Sequence, residues 1–143
     1  MLLVIVALST LIYKSYANGI PHSDNALKPE KFINLIIEKD YKQLYNCMDA
    51  TYQQKISFDK FKGYYQKISP LLSKYSPEGR ALKDYNGNVV NGTYSHFVIF
   101  ENNSSNFSSV FGFVKNTDKL ILIIFRFKNA EDQAKVPPPL KAA

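Results

Sequence analysis

Cysteine and histidine are scarce in this chain of 143 residues, which contains only Cys47, His22 and His96. A single cysteine excludes an internal disulfide and every metal or redox motif built on several cysteines. Two histidines leave little material for a zinc site or for a catalytic triad that depends on histidine. We therefore predict no metal site, no cofactor and no catalytic residue.

Arginine is also scarce. Of the 18 basic residues only Arg80 and Arg126 are arginines, and with 12 acidic residues the formal net charge is +6. Nucleic-acid sites use arginine for bidentate contacts and cluster their positive charge. The lysines here are scattered through the chain instead. The composition disfavours nucleic acid as a partner and leaves only a diffuse attraction to anionic surfaces.

One uncharged run stands at the start of the chain, where residues 1–13 read MLLVIVALSTLIY and Lys14 ends it. As a helix it would cover about 20 Å, which is short of the roughly 30 Å hydrocarbon core of a bilayer. It has the length of the apolar region of a secretory signal peptide. Ser15-Tyr16-Ala17 then supplies small residues, which predicts cleavage after Ala17, although no basic side chain precedes the run.

Two alternatives stay open for this segment: residues 1–20 form a retained membrane anchor, with Lys14 and Tyr16 reaching the headgroups, or the run is a buried core helix. Against a core helix stands the lack of any polar face over residues 2–7. A signal or an anchor would make the domain exported, in a periplasmic, luminal or extracellular space. Residues 18–28 read as a linker, and residues 130–143, which include Pro137–Pro139, read as a tail.

Residues 29–69 show helical periodicity, which predicts three short amphipathic helices. Pro29 suits the first position of a helix, and Ser57 is a good N-cap for the third one. Between them, Tyr41, Leu44, Tyr45 and Met48 fall on one helical face. Pro70 is expected to stop the third helix.

After Pro70 the period changes to that of strands, with hairpin signals at Asn86-Gly87 and Asn91-Gly92. We predict strands at residues 80–85, 93–101, 107–115 and 120–128. Short connections make neighbouring strands antiparallel. Residues 29–129 are therefore expected to form an α+β domain in which the N-terminal helices pack on one face of a curved antiparallel sheet of about four strands.

The last strand is apolar on both faces apart from Arg126. Strict alternation places two sets on opposite faces: Ile121, Ile123, Phe125 and Phe127 on one, and Leu120, Leu122 and Ile124 on the other. The helices can cover one set only. We therefore predict that a protein partner, either a second copy or a larger assembly, covers the other set.

Three features of the chain carry a resemblance: Glu38-Lys39-Asp40-Tyr41 followed by Leu44-Tyr45, the helix start at residues 55–61 (KISFDKF), and the strands that follow. Over residues 29–128 this arrangement resembles the NTF2-like (cystatin-like, α+β cone) superfamily, most of all its small secreted bacterial members. The resemblance implies a cone that encloses a pocket and frequent dimerisation through the sheet. The superfamily includes isomerases, dehydratases, ligand-binding modules and structural parts of secretion machinery, so fold does not give function.

The resemblance also implies an Asp, His or Tyr constellation inside the cone. This chain offers Tyr94 and His96 on one strand face, with Arg126 as a handle for an anion, while Asp40 or Asp49 are the acids that could approach. Our first functional hypothesis is a non-enzymatic interaction module, exported or membrane-tethered, that associates through its sheet. The alternative is a small-ligand-binding protein or an enzyme with a pocket near Tyr94 and His96.

Overall fold

The computed structural model describes residues 29–90 and 93–140. The expectations for the signal peptide or anchor, for cleavage after Ala17, for the linker over residues 18–28 and for the hairpin signal at Asn91-Gly92 lie outside these ranges. Within them, no helix combines the length and the apolar character needed to span a bilayer.

Four helices precede the sheet: α1 (Pro29–Ile37), α2 (Tyr41–Asn46), α3 (Ala50–Lys55) and α4 (Phe58–Leu72). The first one begins at Pro29, as predicted. The predicted second helix corresponds to α2, and α3 is a further helix beyond the three predicted. Asp49 begins α3, because its carboxylate accepts a hydrogen bond from the N–H of Thr51. Ser57 caps α4 as expected, with its hydroxyl 3.2 Å from the backbone nitrogen of Lys60.

The prediction that Pro70 stops the last of these helices is wrong, since α4 continues to Leu72. A proline removes one hydrogen bond of the helix. Here only two residues follow it, so little further helix depends on the lost bond. The end is secured by Ser73, whose hydroxyl donates to the carbonyl oxygen of Ser69 at 2.8 Å.

Four strands form one antiparallel sheet in sequence order: β1 (Gly79–Val90), β2 (Thr93–Asn102), β3 (Phe107–Val114) and β4 (Leu120–Phe127). This confirms the α+β class and the four-stranded sheet. The Asn86-Gly87 signal does not mark a turn, because both residues lie within β1, paired with His96 and Ser95.

Three register shifts interrupt the sheet, two on β1 and one on β4. Leu82 and Asn88 are the extra residues on β1, and Ile121 is the extra residue on β4, opposite the link between Gly112 and Phe113. Such bulges bend a strand and increase its twist. They are the local source of the curvature that lets the sheet wrap around the helices.

The main core fills the space between the helices and the inner face of the sheet, which we define as the face that the helices cover. Phe32 of α1 packs with Phe111 and Phe113 of β3 at ring-centroid distances of 5.7 and 6.1 Å. Phe61 of α4 packs on Tyr65 at 4.6 Å. The concave interior is therefore filled by aromatic rings, all five of which are at most 2% exposed.

The segment after β4, which the sequence predicts as a tail, forms a helix and packs against the core. Asn129 caps α5 (Ala130–Ala134) by accepting the N–H of Asp132 at 2.9 Å. The Asp132 carboxylate is buried and accepts hydrogen bonds from Lys74, at 2.6 Å, and from the Tyr75 hydroxyl. This Asp132 clamp ties the end of α4 to α5 and holds the following residues, Val136 and Leu140, on the core.

Candidate functional site

His96 lies on the inner face of β2 and is buried, with 6% of its surface exposed. Asn86 on β1 and Phe113 on β3 are its register partners. Residues directly opposite each other in a sheet share a face. His96 therefore stands at the boundary between the aromatic core and a polar stretch of the edge strand β1.

Asp84 is the acid that approaches this histidine. Its Oδ2 lies 3.9 Å from Nε2 of His96, and Oδ1 of Asn86 lies 3.4 Å from Nδ1. Burial raises the pKa of the Asp84 carboxyl, although 39% of its side chain is accessible. The distance of 3.9 Å between Asp84 and His96 is longer than a hydrogen bond, so the two groups are near neighbours without a direct hydrogen bond between these atoms.

The acids expected from the sequence, Asp40 and Asp49, do not reach this site, because both carboxylates cap helices. Asp40 accepts from the N–H of Gln43 and Asp49 from that of Thr51. Asp84 was not predicted as a site residue, because the predicted turn at Asn86-Gly87 would end the first strand before any pairing with His96. In the structure β1 continues past these residues, and its register with β2 brings Asp84 beside His96.

The three predicted ligand-binding residues do not converge. Tyr94 is 46% exposed at the end of β2, where the ammonium of Lys115 lies 4.3 Å from its ring centroid. Arg126 is exposed on the opposite face of the sheet from His96, as its partner Ser108 shows. The proposed set of Tyr94, His96 and Arg126 is therefore not one pocket.

The bulge at Ile121 corrects the predicted alternation along β4. Leu120 pairs with Phe113 and joins the main core, whereas Leu122 pairs with Gly112 on the outer face. Beyond the bulge the prediction holds, since Ile123 and Phe125 lie in the core and Ile124 does not. The assignments of Leu120 and Ile121 were wrong, because one inserted residue exchanges the faces of everything before it.

The outer face carries a second, smaller apolar group, which we call the outer cluster. Its buried members are all strand residues, and its half-buried ones surround them: Phe97, Ile121 and Leu122, with Val110, Val114 and Ile124. The helices α1 to α4 place their buried side chains in the main core instead. The outer cluster is thus built by the sheet alone within the described residues.

A single ring shields much of this cluster. Phe97 lies between Gly87 and Gly112, where added β-carbons would stand 2.0 and 3.1 Å from its ring. Tyr85 stacks on Phe97 with the ring centroids 5.2 Å apart. Glycines let an aromatic ring lie flat on a sheet. Phe97 is buried for this reason, while Tyr85 remains 41% exposed.

Metal and thiol chemistry find no support in the ranges that the structure describes. No group of three or more His, Cys, Asp or Glu side chains there is placed to hold a metal ion. Cys47 is half-buried, and burial raises the pKa of its thiol, which disfavours the reactive thiolate.

Comparison with known proteins adds no name to these sites. Protein-family models, curated proteins and solved structures give no match to this chain.

Proposed function

We propose that this domain is a non-enzymatic interaction module that pairs with a second copy of itself through the outer face of its sheet. The observation that carries this is the outer cluster, whose half-buried aliphatic side chains Val110, Val114 and Ile124 lie on the face that α1 to α4 do not cover. Full burial of such a side chain is worth about 1.5–3 kcal/mol. An association that covers this face would recover part of that free energy.

A second copy suits this face because the face carries both signs of charge. Register pairs align Arg80, Glu101, Ser108 and Arg126 across the four strands at one end of the outer face. In a twofold interface the same surface meets itself, so a glutamate of one copy can meet an arginine of the other. Four strands of about eight residues span roughly 19 by 26 Å, or about 500 Å², which is less than the roughly 800 Å² per partner of a standard interface and therefore indicates a weak dimer.

The test is the oligomeric state of the full chain measured by sedimentation equilibrium. The wild type should dimerise at about 100 µM or below. Val110→Lys places a charge in the centre of the outer face, and the lysine stem can still reach water in a monomer. We expect this variant to stay folded by circular dichroism and to be monomeric.

Gln66→Lys is the matched control, because it adds the same charge at an exposed position of α4, on the side of the sheet away from the outer face, and should leave dimerisation unchanged. A wild type that is monomeric at 100 µM, or a Val110→Lys variant that dimerises as the wild type does, would refute the proposal.

The alternative, a ligand-binding or enzymatic site, has one observation in its favour: the approach of Asp84 to His96. The aromatic filling of the interior argues against it, since a binding pocket needs space lined by convergent polar groups. Membership of the NTF2-like superfamily remains a prediction, which the packing of helices on a curved four-stranded sheet supports. An exported location also remains a prediction.

A further inference from the structure

A groove of about 330 Å³ runs beside β4, the last strand of the sheet. Its lining combines one side chain of α4, three residues of β4, one residue of α5 and the segment after α5: Tyr64, Ile124, Phe125, Arg126, Gln133, Val136 and Pro137–Pro139. The volume is within the range of pockets that hold ligands. The groove lies at the strand edge, away from the centre of the outer face.

The two ends of β4 have hydrogen-bond partners on this edge. At the start, Leu120 donates to the carbonyl of Cys47 at 2.9 Å and accepts from the N–H of Asp49 at 2.7 Å. At the other end, the N–H of Phe127 donates to Oε1 of Gln133 at 2.6 Å. The chain thus covers both ends of the edge with its own groups.

Between these ends, the backbone groups of Ile123 and Phe125 point away from β3. This follows from the alternation of an antiparallel ladder, because Lys128 donates toward β3, to Asn106, whereas Phe127 donates to the opposite side. Among the described residues, no hydrogen bond on the edge side satisfies Ile123 or Phe125. The prolines beside them cannot donate one, since proline lacks an N–H.

Two polar side chains at the groove also lack partners within the described residues. The Tyr64 hydroxyl is buried without a hydrogen bond, and burial raises its pKa to about 12, so it stays a donor. The exposed Arg126 has no carboxylate partner. It separates this groove from a smaller one of about 190 Å³, which Lys128 and Glu101 also line. Arg126 and Lys128 carry two positive charges against the one negative charge of Glu101, which favours a ligand with an anionic group at this end of the groove.

We propose that this groove binds an extended peptide segment of another protein, which pairs by its main chain with Ile123 and Phe125 and places an acidic side chain at Arg126. Strand addition to a sheet edge draws affinity from main-chain hydrogen bonds and specificity from pockets for alternate side chains. The apolar walls, Ile124 and Val136 among them, suit the aliphatic side chains of such a peptide. The groove shares Ile124 and Arg126 with the proposed dimer face, whereas Val110, at the centre of that face, does not line it.

The probe is a peptide with fluorescein on its N-terminus, fluorescein-Gly-Gly-Thr-Val-Thr-Val-Glu-amide, titrated with the full chain by fluorescence anisotropy. We expect saturable binding below about 1 mM. A peptide with glutamine in place of glutamate should bind about tenfold more weakly, because a charge-assisted hydrogen bond is lost. A peptide with N-methylated valines should not bind, since it cannot pair with the edge.

Arg126→Gln should remove the preference for glutamate over glutamine. Arg80→Gln is the control, because Arg80 lies on β1, at the opposite edge of the sheet, and this variant should keep the preference. Tyr64→Phe keeps the ring and should weaken both peptides severalfold. Amide hydrogen exchange gives an independent readout: Ile123 and Phe125 should exchange fast in the free protein and slowly with the peptide.

The proposal is overturned if the glutamate peptide does not bind at 1 mM, if the N-methylated peptide binds equally well, or if the amides of Ile123 and Phe125 are already as protected as that of Ile124. Because Val110→Lys should leave peptide binding intact, failure of this proposal and failure of the dimer are distinguishable.

Discussion

The two faces of the sheet are buried in different ways, although the same strands build both. On the inner face, side chains such as Phe111 and Ile123 are enclosed by four helices and are at most 3% exposed. On the outer face, Phe97 lies flat over two glycines and shields its neighbours, while Val110 and Ile124 stay half-buried. The inner face therefore holds the fold together, and the outer face has apolar surface left for association.

The sharpest way to break this comparison is to place the same charge on adjacent residues of β4. Ile123→Lys puts an ammonium group into the main core, which should cost at least about 4–5 kcal/mol, a large part of the stability of a small domain. We expect this variant to be unfolded by circular dichroism. Leu122→Lys, one residue earlier, points to the outer face and should fold but fail to dimerise.

Thermal melts measure whether Ile123→Lys and Leu122→Lys fold, and sedimentation measures whether the folded variant dimerises. If Leu122→Lys unfolds as completely as Ile123→Lys, the outer cluster is as essential to the fold as the main core, and the contrast between the faces is lost.

A smaller effect is expected from Gly87→Ala, which tests how the outer face is shielded. The added methyl group would stand 2.0 Å from the Phe97 ring, which has Gly112 on its other side. We expect a loss of about 1–3 kcal/mol in the free energy of unfolding, as in other overpacked sites.

Gly63→Ala is the matched control for Gly87→Ala, because nothing lies within 4 Å of a β-carbon added there. In a helix interior this change should stabilise by up to about 1 kcal/mol. Urea unfolding measures both variants, and a Gly87→Ala variant as stable as the wild type would show that Phe97 is free to move.

The smallest effect is expected from removing the Asp132 clamp, which would loosen the contact between the end of α4 and α5 without changing the outer face. Hydrogen bonds from Lys74 and then Tyr75 lower the pKa of the Asp132 carboxyl. Its contribution to stability is therefore complete above the ordinary pKa of aspartate, about 3.9, and is lost as the pH falls through the lower value of the folded state. Asp132→Asn should lower the Tm at pH 7, and this difference should shrink as the pH falls below about 4.

Melting curves of the wild type and Asp132→Asn across this pH range provide the check. A difference in Tm that stays constant down to pH 2 would mean that the carboxylate charge does not stabilise the clamp.

Local patterns were sufficient to predict the class of the fold. Helical spacing, the Ser57 cap and the alternation along β3 and along β4 beyond Ile121 are properties of neighbouring residues, and the structure agrees with them. The position of Ile123 and Phe125 in the core also follows from alternation, provided that one of the two faces meets the helices.

Other features depend on contacts between distant residues, so the sequence could not reveal them. In the sequence, Gly87 indicates a turn, whereas in the structure it makes room for the ring of Phe97, ten residues later. Asp84 approaches His96 only because β1 pairs with β2. Residues 130–140 read as a tail because the stabilising groups, Lys74 and Tyr75, are more than 50 positions away in the chain.

The bulge at Ile121 also determines where β4 can tolerate a change in length. Deleting Ile121 would leave Leu120 opposite Phe113 and Leu122 opposite Gly112, so the ladder would become regular and every remaining residue of β4 would keep its face. Deleting Ile123 would instead turn every residue on one side of the gap to the wrong face. Natural length variation within this strand should therefore be confined to the bulge.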